Sequence, residues 1–242
     1  MDSMNAKSID VPAIIKMCRV FGRLTEQERR ELCGKARVEH YHERTLLTDR
    51  EDRPEYLRYV VSGSIDYALS TAEGGFSFLP ILPGKWMSWI GVFGTAPMMC
   101  DLWSSANATF VAIPARDLQR LVGANPAALL EVIDMVGEWT RLLTGWALSF
   151  AAYGPEKRLV YLLLLASSDA VALAKEGFAA PVTQTHISQF GFGSRQRVSR
   201  LLRSLADKGL IEMTYGGVKI PSRARLEAYL SEEKPPGKAQ RG

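Results

Sequence analysis

The chain has 242 residues, enough for one large domain or two modest ones, and 47% of them are hydrophobic, enough to build a core. Three widely spaced cysteines, Cys18, Cys33 and Cys100, with no CxxC pair, exclude a disulfide framework and the usual cysteine-rich zinc or iron–sulfur site. The net charge of +4 hides an asymmetry: residues 1–150 carry 16 Lys/Arg against 18 Asp/Glu, whereas residues 151–242 carry 14 against 8, so the basic C-terminal third predicts a polyanionic partner.

The N-terminal MDSMNAKSID lacks a basic-then-apolar signal pattern. The longest apolar run, Leu159 to Ala166, falls far short of the roughly 18 residues that span a bilayer. A cytoplasmic protein with no membrane partner is expected. Residues 12–36 read as a helical lead-in, in which Thr25 and Glu28 have the spacing of a capping box.

From Val38 to about Pro114 the pattern is strand-like. HYHERTLLTD, EYLRYVVSGSIDYALS, GGFSFLPIL, GKWMSWIGVF and NATFVAIP are separated by Asp/Gly/Pro/Ser clusters at roughly ten-residue spacing, which predicts a barrel or jelly roll. Gly63 divides two β-branched or aromatic runs and permits a tight turn.

After Pro114 the period changes. Leu129, Val132, Val136, Trp139, Leu143, Trp146 and Phe150 alternate at steps of three and four, an a/d seam on a helix from Pro126 to Phe150 that would be about 37 Å long. Leu130, Ile133 and Leu142 form a second apolar stripe. One face is expected to pack on the chain's own barrel and the other on the same helix of a partner chain. Tyr153-Gly154-Pro155 ends the helix and marks a hinge.

The basic unit reads as helix, polar excursion, helix, turn, helix and two short strands. Thr183 or Thr185 can cap a short helix through Phe190, the GFG stretch resists helix, and Ser194 caps a second helix. That helix carries Val198, Leu201, Leu202 and Leu205 on one face. Arg195, Gln196, Ser199, Arg200 and Arg203 lie mainly on the other. Arg can pair with guanine, Gln with adenine, and Ser with the helix N-terminus can hold phosphate, which is the chemistry of major-groove entry. Leu210–Met213 and Gly217–Ile220 flank Tyr215-Gly216-Gly217, a hairpin signal, and the sum is a winged helix with Lys219 as a wing contact to phosphate. A phosphate-cradling loop is excluded. GFGSRQ has Gln196 where a dinucleotide fingerprint needs glycine, follows a helix, and lacks a GK[ST] ending.

The order barrel, seam helix, hinge, winged helix resembles the family of bacterial transcription regulators that includes the cyclic-AMP receptor protein and the fumarate-nitrate regulator (CRP/FNR). YVVSGSIDYAL is similar to the family's barrel signature, IPARDLQRLV to its approach to the dimer helix, and GSRQRVSRLLRSLADKGLI to its recognition helix. The resemblance implies an α+β chain: an N-terminal jelly-roll, cyclic-nucleotide-binding-like sensing domain (1–123), a dimerisation helix with hinge (124–153) and a C-terminal winged helix–turn–helix (154–242). It also implies a homodimer on a palindromic operator in double-stranded DNA, and activation through RNA polymerase. The DNA-binding set is Thr183, Ser194, Arg195, Gln196, Arg197, Ser199, Arg200 and Lys219. Gln196 stands where the family usually has glutamate, and Phe192 where the turn usually has glycine.

The family's cyclic-nucleotide pocket uses a Gly-Glu pair for the ribose and an Arg-Ser pair for the phosphate. Here Ser88-Trp89 and Met98-Met99 stand at those places, and no arginine occurs between Lys85 and Arg116, so cyclic AMP is not expected as effector. Trp86, Trp89, Met98, Met99, Trp103 and Trp139 instead predict a pocket for an apolar or aromatic small molecule, with a packed core as the alternative. An iron–sulfur cluster is not expected, and no metal site is assigned. Haem held by His40, His42 or Cys100, thiol-based sensing, and a ligand-binding module that does not bind DNA are the alternatives. Three scattered histidines and no recognisable motif argue against an enzyme.

Overall fold

The computed structural model describes residues 9–71, 74–81, 83–166, 178–180, 184–214 and 217–231. The lead-in is three helices rather than one: α1 (Val11–Met17), α2 (Arg19–Gly22) and α3 (Glu26–Lys35). The breaks are local. Cys18 and Thr25 both take extended backbone, Thr25 because it caps α3. Its hydroxyl accepts from the Glu28 amide at 3.3 Å while the Glu28 carboxylate accepts from the Thr25 amide at 2.7 Å, a complete capping box.

Two four-stranded antiparallel sheets follow. One has the order β1 (Arg37–Tyr41), β8 (Ala108–Pro114), β3 (Tyr56–Ser62), β6 (Trp86–Met87). The other runs β2 (Leu46–Thr48), β7 (Asp101–Ser104), β4 (Ile65–Thr71), β5 (Gly74–Ile81). Strand alternation divides the side chains between two cores. Val60, Phe110, Ile65 and Leu102 meet between the sheets. Leu57 and Ile113 pack outward on Phe21, Leu32 and the helix α5 (Ala115–Gly123) through Leu118.

GKWMSWIGVF departs from its strand-like reading. Only Trp86–Met87 pair in the sheet; Ser88 turns into the left-handed region (φ 87°) and Trp89–Phe93 form a short helix, α4. Five residues are too few to display a helical period, so their β-prone composition misleads.

Asn125 caps the long helix α6 (Pro126–Ala152) by accepting from the Ala128 amide at 3.1 Å, with Pro126 at the first helical position. Its 27 residues extend about 40 Å. Tyr153 is extended, and α7 (Pro155–Ala166) restarts at a proline.

The C-terminal unit contains β9 (Phe178–Ala180), α8 (Gln184–Ile187), a wide turn over Ser188–Phe192, α9 (Arg195–Asp207), β10 (Glu212–Thr214), β11 (Gly217–Ile220) and α10 (Arg223–Ser231). Its sheet has three strands, β10-β11-β9, one more than the hairpin read from the sequence. Leu159, Leu162 and Leu163 of α7 meet Val198, Leu202 and Leu205 of α9 in one core.

Gly63 tests the barrel turn. Its φ is 76°, and a Cβ there would stand 2.7 Å from the Ala108 Cβ. Gly63→Ala is expected to cost about 1–3 kcal/mol, read as a lower urea midpoint with unchanged slope.

Candidate nucleic-acid interface and signal site

Ser194 opens α9 by accepting from the Arg197 amide at 3.4 Å. The amphipathic pattern then buries Val198, Leu202 and Leu205 and leaves Arg195, Gln196, Arg197, Arg200 and Arg203 exposed, with Ser199 half-buried. Among the described residues none of these four arginines that follow Ser194 within the next nine positions, Arg195, Arg197, Arg200 and Arg203, makes an ion pair. Other cations of the unit are engaged: Lys208 with Glu156, Arg223 with Glu227 at 2.8 Å, and Lys219 with Glu212 at 2.9 Å. Lys219, expected to reach phosphate from the wing, is paired across the hairpin in the free chain while its side chain stays exposed. Thr183 lies outside the described residues, as do Tyr215 and Gly216 of the hairpin turn.

The turn before α9 is built by two glycines around an aromatic ring. Gly191 (φ 76°) and Gly193 (φ 88°) take backbone that resists side chains. Phe192 between them is buried in the C-terminal core. The Arg158 guanidinium from α7 lies 5.8 Å from the Phe192 ring and 5.0 Å from the ring of Phe150 at the end of α6, with its Nε buried and without a hydrogen-bond partner among the described residues. Trp146 stacks edge-on against both Phe150 (5.1 Å) and Phe190 (5.7 Å). A cation and four aromatic rings thus connect α6 to the turn that orients α9. Neither Arg158 nor this connection was read from the sequence; the inversion of Gly191-Phe192-Gly193 was the available signal.

Glu156 fixes α9 from the other side, accepting from Ser204 and Lys208 and from the Tyr229 hydroxyl of α10 at 2.8 Å. The bonds from Lys208 and Ser204 outweigh burial and pull its carboxyl down to about 2.

α6 is apolar on two faces, and the one expected as the dimer seam packs in part on its own chain, with Val132 buried and Leu129, Val136, Trp139, Leu143 and Trp146 half-buried. Leu129, Val132 and Val136 pack on the N-terminal core, while Trp139, Leu143 and Trp146 pack on the C-terminal one. Phe150 stays 44% exposed beside Trp146. Among the described side chains Leu130, Ile133 and Leu148 are also left to solvent, on a face shared with exposed Gly137, Thr140 and Thr144. Spacing marks two stripes; the larger, aromatic one is half-buried within the chain because α6 is a wall of both cores.

The tryptophans and methionines proposed as a pocket do not converge. Trp86 and Trp89 pack on Phe21 at 5.2 and 5.7 Å, Met98 borders the barrel interior, and Trp103 lies under the Arg44 guanidinium at 4.4 Å. Met99 is 91% exposed, and Trp139 belongs to the C-terminal core. Aromatic and sulfur-bearing side chains here fill separate gaps in packing. The residues present do not fit a cyclic nucleotide. Trp89 is core where a ribose would need a carboxylate, and Met98-Met99 offer no charge to a phosphate.

Haem and thiol chemistry gain no support from the geometry. His40 is hydrogen-bonded to Thr109 at 3.1 Å, and burial pushes the Cys18 thiol up to about 11. Among the described residues no helix is long and apolar enough to cross a membrane.

A jelly-roll barrel joined by a long helix to a winged helix–turn–helix with an exposed arginine face defines a DNA-binding transcription regulator. Residues 157–229 match the Crp-like helix-turn-helix domain. The cAMP-activated global transcriptional regulator CRP of Salmonella typhimurium is 24% identical over 177 residues, covering 72% of this chain and 84% of that protein. Among solved structures, FixK2 from Bradyrhizobium japonicum superposes with a TM-score of 0.62 at 16% identity, covering 80% of this chain and 96% of that one. A CooA mutant from Carboxydothermus hydrogenoformans does so at 0.56 and 18%, covering 81% and 88%. The C-terminal unit is thus similar to the Crp-like helix-turn-helix domains, and the chain as a whole resembles regulators of the CRP/FNR family.

The Glu156 cluster generates a pH test. A carboxyl held below its ordinary value of 4.5 lends stability that is present above that value and fades as pH falls toward 2. Glu156→Gln is expected to be less stable than wild type at neutral pH and to converge with it as the solution is acidified, measured by thermal melts across that window.

Proposed function

We propose that this regulator works as a homodimer on a palindromic operator, its two α9 helices entering successive major grooves about one helical turn apart, under control of a small-molecule signal other than cyclic AMP. The observation that carries the reading is the exposed face of α9, where Arg195, Gln196, Arg197 and Arg200 project without ion-pair partners among the described residues. Arg200 is assigned to guanine readout and Gln196 to the base that distinguishes this operator, since glutamine both donates and accepts where glutamate only accepts. Ser194 and the start of α9 hold phosphate. Recruitment of RNA polymerase, hence activation, is the mode the family resemblance supports.

The dimer contact is assigned to Leu130, Ile133 and Leu148, apolar residues that α6 leaves uncovered. The small residues Gly137, Thr140 and Thr144 between them allow two such helices to approach closely. The signal enters at the barrel and acts on α9 through the differential stability of two arrangements of α6 and the unit beyond Tyr153.

Binding of labelled duplexes tests the readout. Arg200→Ala is expected to lose about 1–3 kcal/mol of discrimination between the operator and single-base variants, while overall binding keeps its steep salt dependence. Equal discrimination by wild type and variant counts against base readout by Arg200. Replacing Ile133 and Leu130 together by Asp is expected to yield monomers in sedimentation and to weaken binding to the full operator by about a hundredfold or more.

A further inference from the structure

At the end of the barrel near α4 the lining between the sheets changes from apolar to charged. Arg58 on β3, 6% exposed, donates from Nε to Glu39 on β1 at 2.8 Å. Glu39 also accepts from Arg37 at 2.6 Å and from the Tyr41 hydroxyl at 3.2 Å. Burial alone would push the Glu39 carboxyl up, yet the Arg58 charge and the bonds from both arginines hold it below its ordinary range. Two guanidinium groups on one carboxylate leave this cluster with an excess positive charge.

Arg58 borders a cleft of about 380 Å³, within the roughly 300–1,000 Å³ typical of small-molecule sites. Thr48 lines the same cleft; it is only 7% exposed, and among the described residues its hydroxyl has no hydrogen-bond partner. The mouth has mainly the opposite character, with Asp49, Asp52 and Glu55 lining it beside Arg53, all exposed to solvent. The segment that carries them is held in place: the Arg50 amide donates to the Asp101 carboxylate at 2.9 Å, and Arg53 donates to the Gly94 carbonyl beyond α4 at 2.7 Å. A simple anion would meet three carboxylates against the one guanidinium of Arg53 on entry, and a simple amine would end against a buried guanidinium. A molecule with both charges satisfies both ends.

We infer that this cleft binds a small zwitterion of the amino-acid type, with its carboxylate on the Arg58 guanidinium and the Thr48 hydroxyl and its ammonium group among Asp49, Asp52 and Glu55. Glu39 keeps Arg58 charged and oriented, and is a positioning residue. The inference supplies a ligand class for the signal-receiving barrel and rests on that reading only for any effect on DNA. A mechanical route exists: Arg53 grips the end of α4, and Trp89 and Val92 of α4 share a core with Val132 of α6.

The test is thermal melting and calorimetric titration of the full chain with L-alanine, L-leucine, L-glutamate and L-arginine, each against propionate and ethylamine. At least one amino acid should raise the melting temperature saturably, with propionate and ethylamine giving much smaller shifts. Thr48→Val, which keeps the shape and removes the unpartnered hydroxyl, should fold at least as well as wild type and raise the Kd about tenfold or more; Arg58→Lys, which keeps a charge for Glu39, should do the same. No shift with any of the four amino acids, a propionate shift equal to that of alanine, or an unchanged Kd in Thr48→Val overturns the proposal. Duplex binding by the same preparation separates the two readings. Intact duplex binding without an amino-acid shift removes the cleft and keeps the regulator, whereas a saturable shift without duplex binding keeps the cleft and removes the regulator.

Discussion

Both large hydrophobic cores end on the same side of α6. Its first half closes the N-terminal core with Leu129, Val132 and Val136, and its second half closes the C-terminal core with Trp139, Leu143 and Trp146. Neither unit can lose its helix without exposing apolar surface, at roughly 25 cal/mol per Å². A displacement at one end of a close-packed rod is therefore felt at the other, because interiors with few voids resist gradual deformation and prefer discrete rearrangements. The rest of the architecture follows from this sharing: the barrel is anchored to a structure that also positions the DNA-binding unit.

The join at the second end is unusually aromatic. Most turns between two such helices need only permit a change of direction, which glycine does. Here Gly191 and Gly193 supply the permissive backbone while Phe192 is driven into the core and lies near Arg158, which also faces Phe150. The start of α9 is thereby tied to the end of α6 by packing, in addition to the hydrogen bonds that Glu156 makes at the far end of α9. The reading helix is held at both ends, so its direction is set by α6 and α7 rather than by its own turn alone.

What could be read from the sequence divides along physical lines. Features decided within a few residues were visible: the Thr25–Glu28 capping box, the Asn125-Pro126 start of α6, its stop at Tyr153-Gly154-Pro155, and the amphipathic face of α9 after Ser194. Features decided by what lies opposite were not. The heptad spacing says that α6 has an apolar side, but what packs on that side depends on the tertiary fold, and the chain's own cores bury part of it. Trp86, Met98, Met99 and Trp103 are close in sequence and chemically alike, yet strand alternation and the short α4 send them in different directions. The Glu39–Arg58 pair was equally hidden, since a charged residue within a strand reads as outward-facing until another charge is found across the sheet.

The uneven pairing of charge in the C-terminal unit has a kinetic consequence. Its excess of basic residues is large, but several of the cations outside the exposed face of α9 are paired locally, Lys208 with Glu156, Lys219 with Glu212 and Arg223 with Glu227. Among the described residues, Arg195, Arg197, Arg200 and Arg203 thereby form a cluster of unpaired cations on one side of α9. A polyanion approaching from any direction experiences a torque as well as an attraction, so encounters are oriented before contact is made and the molecule spends less of its search in unproductive poses.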